Sequence, residues 1–156
     1  MGFVHARAKG TAVSVAQMST RNQYEGTVVA VREGAVNGVV TIDLGPSLIK
    51  ADITCEAIDE LGLAEGVAAT AVIKASNVMF AAGDQKLAIS ARNQFPGKVV
   101  KVAKGAVNGH VTVETACGKR ISGSVTNEAI DELGLVEGAS AVAFVKSTDV
   151  LVAVEG

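Results

Sequence analysis

The chain is short of the residues that staple small proteins. It has two cysteines, two prolines and no tryptophan among 156 residues, and aromatic side chains make up only 3%. Two cysteines cannot build a disulfide framework, and no group of cysteines and histidines has the spacing of metal ligands. The composition therefore excludes a disulfide-rich scaffold, and we expect no side chains that act as direct ligands of a metal cation.

Long apolar runs are also missing. No run approaches the ~20 residues that span a bilayer, which predicts a chain without a membrane segment. His5, Arg7 and Lys9 precede a short apolar stretch, as in a signal peptide. Polar residues interrupt this stretch, so the resemblance to a signal peptide is weak. We therefore expect a soluble, cytoplasmic protein.

Charge of one sign is lacking as well. Lysine and arginine number 14 against 16 aspartate and glutamate, which gives a net charge of -2. Because nucleic-acid binders normally carry a basic surface, we expect no nucleic-acid partner. The apolar content of 49% is too high for a disordered chain. An anionic ligand is still compatible with this balance, since backbone N–H groups can hold an anion locally.

What the chain does contain is two copies of one unit. Residues 19–44 return as residues 90–115, with 15 of 26 positions identical. A later stretch also returns, but with one extra residue in the second copy, which we place near Cys117. The repeat predicts an N-terminal extension at 1–14, a first domain at 15–84 and a second domain at 85–156.

Each copy has the pattern of β-structure. Two runs rich in β-branched residues, 26–31 and 39–44, flank the dipeptide Asn37-Gly38. Asparagine and glycine both tolerate positive φ, so this dipeptide predicts the turn of a hairpin. A second strand pair is suggested by residues 48–53 and 67–74.

A short helix is predicted between the strands of the second pair. Thr54 can cap its start, and Gly62 can end it. About five short strands and one short helix in ~70 residues favour a small Greek-key barrel of the OB type. The predicted fold class is all-β with short helices, as two tandem OB-like Greek-key β-barrels.

The predicted barrels are undersized, with a thin core of valine and alanine. Units of this size commonly need a partner or a staple, and neither disulfides nor metals are available as staples. Exposed sheet edges and two fused copies favour assembly into a symmetric oligomer.

The repeated residues do not build a catalytic site. The histidines, His5 and His110, lie outside the duplicated motifs, and no repeated serine has a repeated histidine partner. Paired acids at 59–60 and 131–132 fall on the predicted helix, where a solvated face is favoured over acid–base chemistry. The cysteines occupy non-equivalent positions and are interpreted as packing residues. We expect neither an enzyme nor a cofactor.

Three repeated segments supply hydrogen-bond donors instead. Ser-x-Arg-Asn-Gln offers hydroxyl, guanidinium and amide groups at a strand end, and a lysine followed by small or hydroxyl-bearing residues ends another strand. Gly-Ala-Val-Asn forms a turn whose N–H groups could converge as an anion nest. Such donors suit a tetrahedral oxyanion. In this order the segments lie at 19–23 and 90–94, at 74–76 and 146–148, and at 34–37 and 105–108.

Each segment also has a purely structural interpretation. The turns are explained as hairpin turns, the arginine of the first segment could lie over apolar surface, and Lys74 and Lys146 could be edge charges that discourage aggregation. An OB-type nucleic-acid module is a further alternative, although the repeated strands offer only Tyr24 and Phe95 for stacking. From the residues alone these alternatives stay open.

The ordered motifs resemble those of the molbindins, or Mop domains. The resemblance rests on residues 90–94, on Gly97-x-Val99 and on residues 105–108, with their first-copy counterparts, and it covers about residues 15 to 154. It implies an OB-like Mop domain in each copy and a homotrimer of two-domain chains. It also implies binding of molybdate or tungstate, for storage and buffering or, alternatively, as a molybdate-sensing module that acts through a partner protein.

The resemblance further implies two kinds of oxyanion site, both at interfaces between units. One kind joins a Ser-x-Arg-Asn segment to a Lys-x-Ser segment; we call these the strand-end segments. The other uses the Gly-Ala-Val-Asn turn; we call these the turn segments. The strand-end segments comprise Ser19, Thr20, Arg21, Asn22, Ser90, Ala91, Arg92, Asn93, Lys74, Ala75, Ser76, Lys146, Ser147 and Thr148. The turn segments comprise Gly34, Ala35, Val36, Asn37, Gly105, Ala106, Val107 and Asn108.

The sequence departs from the molbindin pattern at a few positions. Thr20 stands where alanine is usual, and Gly38 and Gly109 stand where alanine is common. His110 occurs only in the second copy, opposite Val39 of the first. This last difference leads us to expect turn segments that differ in polarity or pH response.

Overall fold

The computed structural model describes residues 22–155, which divide into two compact units. Within that range, the first unit contains the residues up to Ile73 together with those from Ser147 onward. The second unit contains Lys74–Lys146. Each unit is built on one five-stranded antiparallel sheet with one short α-helix.

The elements of the first unit are β1 (Asn22–Glu33), β2 (Asn37–Asp43), β3 (Leu48–Thr54), α1 (Cys55–Leu61), β4 (Ala68–Ile73), a 3-10 helix (Ser147–Asp149) and β10 (Val150–Ala153). The sheet order is β10-β4-β1-β2-β3. Strand β10 also lies close to β3, the opposite edge of the same sheet, so the sheet curls towards a barrel.

The second unit repeats this arrangement with the order β5-β9-β6-β7-β8. Here the edge strands β5 and β8 approach one another. The elements are a 3-10 helix (Ala75–Asn77), β5 (Met79–Ala82), β6 (Asn93–Lys104), β7 (Asn108–Thr115), β8 (Arg120–Thr126), α2 (Asn127–Leu133) and β9 (Ser140–Val145). The predicted all-β fold with tandem OB-like barrels is confirmed.

The two sequence copies exchange their last strands. Strand β10 comes from the second copy but pairs with β4 in the first unit, where Val150 lies opposite Ile73. Strand β5 comes from the first copy but pairs with β9 in the second unit, where Met79 lies opposite Phe144. The compact units therefore interleave along the chain, and the domain limits at 14/15 and 84/85 stay a prediction about the sequence copies.

In each sheet one long strand contains a β-bulge and pairs with a different neighbour along each of its halves. The first half of β1 pairs with β4 and the second half with β2, and the register to β2 shifts between Val28 and Ala30. The extra residue bends the strand. Close to the bend, a Cβ on Gly26 would lie 2.3 Å from the Asp43 carbonyl oxygen, so only glycine fits there. Gly97 is in the same situation in the second unit.

The helix of each unit begins and ends at the predicted residues. In the first unit the Thr54 hydroxyl accepts a hydrogen bond from the Ala57 amide at 3.1 Å, which is an N-cap. Gly62 ends the helix with a left-handed φ of 65°. Ile58 of this helix is buried against the sheet. In the second unit Thr126 caps in the same way.

The hairpin of each unit is confirmed, but its turn lies earlier than the dipeptide Asn37-Gly38. Both residues belong to β2 and neither has a positive φ, so the turn is made by residues 34–36. Glycine at position 38 is favoured for another reason, because a Cβ there would meet Cδ1 of Ile58 at 2.6 Å and the end of that side chain would have to shift. A close approach of the helix, and not turn geometry, accounts for this glycine.

The predicted second strand pair is wrong, although its two strands exist. Strand β3 pairs with β2, and β4 pairs with β1, so the two do not pair with each other. The extra residue of the second copy does lie where it was placed, in the β7–β8 turn. Five residues separate the paired positions Glu114 and Arg120, whereas four separate Asp43 and Leu48 in the first unit.

The described core consists almost entirely of valine, isoleucine, leucine and alanine, as the low aromatic content predicted. Tyr24 is the one aromatic residue among the buried apolar side chains of residues 22–155. No described helix is long and apolar enough to cross a bilayer.

Candidate functional site

The strand-end segments of the second unit meet at one end of its sheet. Strand β6 begins at Asn93, which lies opposite Val145, the last residue of β9. Lys146 follows directly. On the other side of β9, Met79 of β5 pairs with Phe144, and the 3-10 helix that carries Ser76 lies just before β5. The topology therefore brings Ser90–Asn93, Lys146 and the Lys74–Ser76 segment to the same end of the sheet.

Gln94 fixes the shape of the Ser-x-Arg segment. Its side-chain oxygen accepts a hydrogen bond from the Leu87 amide at 2.6 Å. Its side-chain nitrogen donates to the carbonyl oxygens of Leu87 at 3.0 Å and Ala91 at 3.1 Å. Gln94 is thus a positioning residue; it belongs to the predicted donor segment 90–94 but not to the strand-end residues that the resemblance implied. The available signal was its repetition, since Gln23 occupies the same place in the first copy.

The donors at this sheet end differ in their exposure. The side chains of Ser90, Arg92, Lys74, Ser76 and Lys146 belong to exposed residues. Hydroxyl, guanidinium and ammonium groups are therefore open to solvent in the described chain. Ala91 and Ala75 are half-buried. The asparagine of the segment behaves differently, because only 2% of Asn93 is exposed.

The first unit places its described segments in the corresponding way. Asn22 starts β1 opposite Ile73, and Ile73 in turn pairs with Val150 of β10. Ser147 and Thr148 belong to the 3-10 helix that precedes β10, so they lie at the same sheet end as Asn22. Ser19, Thr20 and Arg21 fall outside the described residues.

Tyr24 is unsuited to stacking on a base. It is buried, and burial raises the pKa of its phenol well above the usual range. Its hydroxyl donates to Oδ1 of Asn22 at 3.4 Å. The aromatic ring is therefore part of the core, which removes one of the two side chains that the nucleic-acid alternative required.

The turn segments protrude from the sheet but are internally closed. The Gly34 amide donates to the Asn37 carbonyl oxygen at 2.8 Å, and Gly105 donates to Asn108 at the same distance. At the tips, Val36 is 72% exposed and Val107 is 70% exposed. These are the most exposed large apolar side chains of residues 22–155. The remaining turn residues, Ala35 and Ala106, are exposed as well.

Each turn is also tied to the start of a helix. The Cys55 amide donates to the Val36 carbonyl oxygen at 2.7 Å, and the Asn127 amide donates to Val107 at 2.8 Å. The turn backbone is therefore held in place from two sides, which favours a preorganised site. The sequence pattern contained no sign of this link.

The two cysteines lie in opposite environments. Cys55 is half-buried, and partial burial followed by the carboxylates of Glu33 and Asp59 raises the pKa of its thiol. Cys117 is exposed, so its interpretation as a packing residue is wrong. The Thr115 hydroxyl lies 3.0 Å from the Cys117 sulfur, and this hydrogen bond lowers the pKa of that thiol. The position in a surface turn accounts for the exposure.

Cation-binding clusters and acid–base pairs receive no support from the described part of the chain. Residues 22–155 contain no group of three or more His, Cys, Asp or Glu side chains that could hold a metal ion. Asp59 and Glu60 are exposed, and Asp131 forms an ion pair with Lys104. His110 is exposed on β7.

Two OB-like barrels that carry repeated donor segments define a tandem OB-like binding protein. A family model of the TOBE domain matches residues 18–80 and 89–152. The chain belongs to the TOBE-domain family, as a member with two Mop-like copies.

Relatives occur with one copy and with two. The chain is 41% identical to molybdenum-pterin-binding protein MopA of Rhodobacter capsulatus over 86% of its length, and 39% identical to molybdenum transport protein ModE of Herbaspirillum seropedicae over 88%. It spans about half the length of these curated relatives, 51% in each case. Molybdenum-pterin-binding protein 2 of Clostridium pasteurianum is 47% identical over 42% of this chain and 97% of its own.

One solved structure matches nearly from end to end. It is that of the cytoplasmic molybdate-binding protein ModG, in a form with molybdate bound. The sequences are 41% identical, the TM-score is 0.85, and the match covers 89% of this chain and 99% of that one. The shared fold thus extends over both copies.

Proposed function

We propose that this chain binds molybdate and tungstate in the cytoplasm and serves to store and buffer them. The observation that carries the proposal is the likeness to ModG, a cytoplasmic molybdate-binding protein that is similar over almost its full length. At 41% identity and a TM-score of 0.85, this likeness supports a shared ligand class as well as a shared fold.

The donor chemistry of the strand-end segments agrees with an oxyanion ligand. Ser90, Arg92 and Lys146 offer hydroxyl, guanidinium and ammonium donors at one sheet end, with Ser76 close by in the topology. A tetrahedral dianion accepts several hydrogen bonds, and charged donors strengthen them. The turn segments would add backbone N–H donors.

Storage is favoured over catalysis because the donor segments can bind an oxyanion but contain no activated nucleophile. Among residues 22–155 the one histidine is His110, which lies on β7 and far in sequence from serines 76 and 90, and activation of a serine hydroxyl requires a base within hydrogen-bond reach. Donors that hold an anion without breaking it suit a protein that releases its ligand unchanged. We therefore propose a non-enzymatic role with no cofactor.

Assembly belongs to the same proposal. We infer a homotrimer of two-domain chains, in which both kinds of oxyanion site lie at interfaces between units. The exposed valines 36 and 107 at the turn tips offer apolar surface that a neighbouring unit would cover in such an assembly. An assembly mass from native mass spectrometry tests it, and a monomer at micromolar concentration would contradict it.

Equilibrium dialysis against molybdate tests the ligand. We expect the intact chain to bind molybdate and tungstate in preference to sulfate, on the ground that these anions share charge and shape and differ in size. Arg92→Ala and Lys146→Ala should each weaken binding by about 10-fold, in line with loss of a charge-assisted hydrogen bond. Lys101→Ala removes the same kind of charge from an exposed position eight residues further along β6 from Asn93, and it should leave binding at the strand-end segments unchanged. Absence of molybdate binding by the unmodified chain at tens of micromolar would overturn the proposal.

A sensing role is the second candidate. It is the alternative that the molbindin resemblance leaves open. A module of that kind would pass the molybdate-bound state to a partner protein. Affinity capture with and without molybdate discriminates, with Arg92→Ala as the control. A partner retained only with molybdate, and lost in the variant, would favour sensing over storage.

A further inference from the structure

The two turn segments share a backbone but differ in their charged neighbours. Both close through a glycine-to-asparagine hydrogen bond of 2.8 Å, and both are tied to a helix start. Immediately before the turn, however, the first unit has Glu33 and the second has Lys104. An anion that approaches either turn meets opposite charges at equivalent positions.

Pairing across the hairpin shows which face these charges occupy. Glu33 lies opposite Gly38, and Lys104 lies opposite Gly109, so each charged residue shares a sheet face with its glycine. A Cβ on Gly38 would meet Ile58 of helix α1 at 2.6 Å. This face is therefore the one that carries the helix, in both units.

In the first unit this face collects negative charge. The Cys55 thiol donates to the Gly34 carbonyl oxygen at 3.5 Å, which puts it against the turn. The carboxylates of Glu33 and Asp59 both raise the pKa of that thiol by their negative charge. Arg32, whose counterpart in the second unit is Ala103, points to the opposite face of the strand and offsets them only in part.

In the second unit the same face is nearly neutral. Lys104 forms an ion pair with Asp131, the counterpart of Asp59. Asn127 replaces Cys55, and its side-chain amide donates to the Gly105 carbonyl oxygen at 2.9 Å. Glu128 and its first-copy counterpart are present in both helices, so they cancel in the comparison.

We propose that the two turn segments are unequal oxyanion sites, and that the 105–108 turn binds the dianion more tightly than the 34–37 turn. The determinant is Lys104 in place of Glu33. The inference rests on the proposed function, since it concerns the relative affinity of two sites for the same ligand. Lys104, which the sequence motif does not contain, then determines the relative affinity of the two turn segments for the oxyanion.

The size of the difference follows from Coulomb's law. Exchange of one positive for one negative charge about 8 Å from a dianion changes affinity by about 10-fold at ~20 mM salt. At ~150 mM salt, screening reduces the factor to about 4-fold. A salt-dependent ratio of this size distinguishes charge from a difference in shape.

Site-resolved NMR measures the two affinities in one sample. Glycine amides of ¹⁵N-labelled protein are followed during titration with sodium molybdate at both salt concentrations, with sodium sulfate added to a reference sample. The Gly105 amide should saturate at about 10-fold lower molybdate than the Gly34 amide at low salt. The ratio should fall on addition of salt.

Graded substitutions assign the ratio to the charges. Glu33→Gln and then Glu33→Lys should raise the affinity of the 34–37 turn in two steps, and Lys104→Gln and then Lys104→Glu should lower that of the 105–108 turn. Lys119→Glu makes the same charge change at the far end of β7 and should alter neither value by more than about 2-fold.

The outcomes separate this inference from the function on which it rests. Equal affinities at both turns, or substitutions without effect, would overturn the inference and leave oxyanion binding intact. In a third outcome, the amide signals of Ser90–Asn93 saturate with molybdate while those of Gly34 and Gly105 do not respond. This outcome would overturn the inference and the proposal that the turn segments bind the oxyanion. No response anywhere in the protein would overturn both.

Discussion

The first and second units have the same strand order and the same capped helix, yet the chemistry around their turns has diverged. Thr54 and Thr126 cap equivalent helices, and Ile58 and Ile130 fill equivalent places in the core. The exposed position before the turn, by contrast, carries opposite charges in the two units. Buried positions and caps define the barrel, while exposed positions beside the donor segments are free to tune a ligand.

The largest expected effect comes from the buried residue that both helices share. Ile58 and Ile130 are 3% and 2% exposed, so Ile58→Ala and Ile130→Ala should each cost about 3 kcal/mol of unfolding free energy. Urea titration of each variant measures the loss. Leu133→Ala, at a residue that is 37% exposed, is the control and should cost clearly less. A loss below about 1 kcal/mol in one unit alone would show that the cores are not equivalent.

The next effect should separate the two units. A Cβ on Gly109 would meet the Ala103 carbonyl oxygen at 2.7 Å, whereas a Cβ on Gly38 would first meet the tip of Ile58 at 2.6 Å. Because backbone yields less readily than a side-chain end, Gly109→Ala should cost about 2 kcal/mol and Gly38→Ala about half of that.

Thermal or urea unfolding of both glycine variants checks this order. Combining Gly38→Ala with Ile58→Val should recover part of the loss in the first unit, since the valine lacks the clashing methyl group. The same rescue in the second unit, Gly109→Ala with Ile130→Val, should be weaker. Equal costs in both units would contradict the geometric reason given for the difference.

Helix caps should again behave alike in the two units. Thr54→Ala and Thr126→Ala each remove a 3.1 Å hydrogen bond to a helix amide and should each lower stability by about 1 kcal/mol. Replacement by serine keeps the hydroxyl and should cost much less. A serine variant as unstable as the alanine variant would assign the effect to the methyl group instead of the cap.

The smallest expected effect concerns the two thiols. Cys117 is exposed with a lowered pKa, whereas Cys55 is half-buried with a raised pKa. A lower pKa leaves more thiolate at any pH below it, so Cys117 should react with a disulfide reagent about 5-fold faster at pH 7.5. Single-thiol variants, Cys55→Ser and Cys117→Ser, give the two rates. Similar rates would contradict the assigned environments.

Most of the local structure could be predicted from the sequence, because it depends on neighbouring residues. The caps at Thr54 and Gly62 follow from side-chain and backbone preferences within one turn, and the strands follow from β-branched runs. Strand pairing could not be predicted in the same way. Nothing in a run such as residues 67–74 states that its partner is β1 and not β3, since pairing depends on contacts distant in the chain.

The exchange of β5 and β10 also left no trace in the sequence. Two copies with the same strands pair equally well within or between copies as far as residue patterns go, so symmetry hides the exchange. The position of the hairpin turn was mispredicted for a related reason. Packing against Ile58 favours glycine at position 38, and such a glycine looks the same in a sequence as one that a turn requires.

The sequence predicted which segments form the site, but not how these segments are arranged in space. Repetition marked Ser90, Arg92 and Lys146, and the topology places them at one end of a sheet. Repetition did not mark the residues that differ between copies. The sequence prediction used the difference at His110 but not the opposite charges of Glu33 and Lys104, because the sheet face that these two residues share with the helix depends on strand pairing.

Anomalous diffraction at the molybdenum edge, from crystals grown with molybdate, tests the central claim most directly. The account predicts anomalous peaks beside the Ser90–Asn93 segment and beside the turns at 34–37 and 105–108, with higher occupancy at the second turn. Peaks confined to other surfaces, or no peak at millimolar molybdate, would contradict the claim that these repeated donor segments hold the oxyanion.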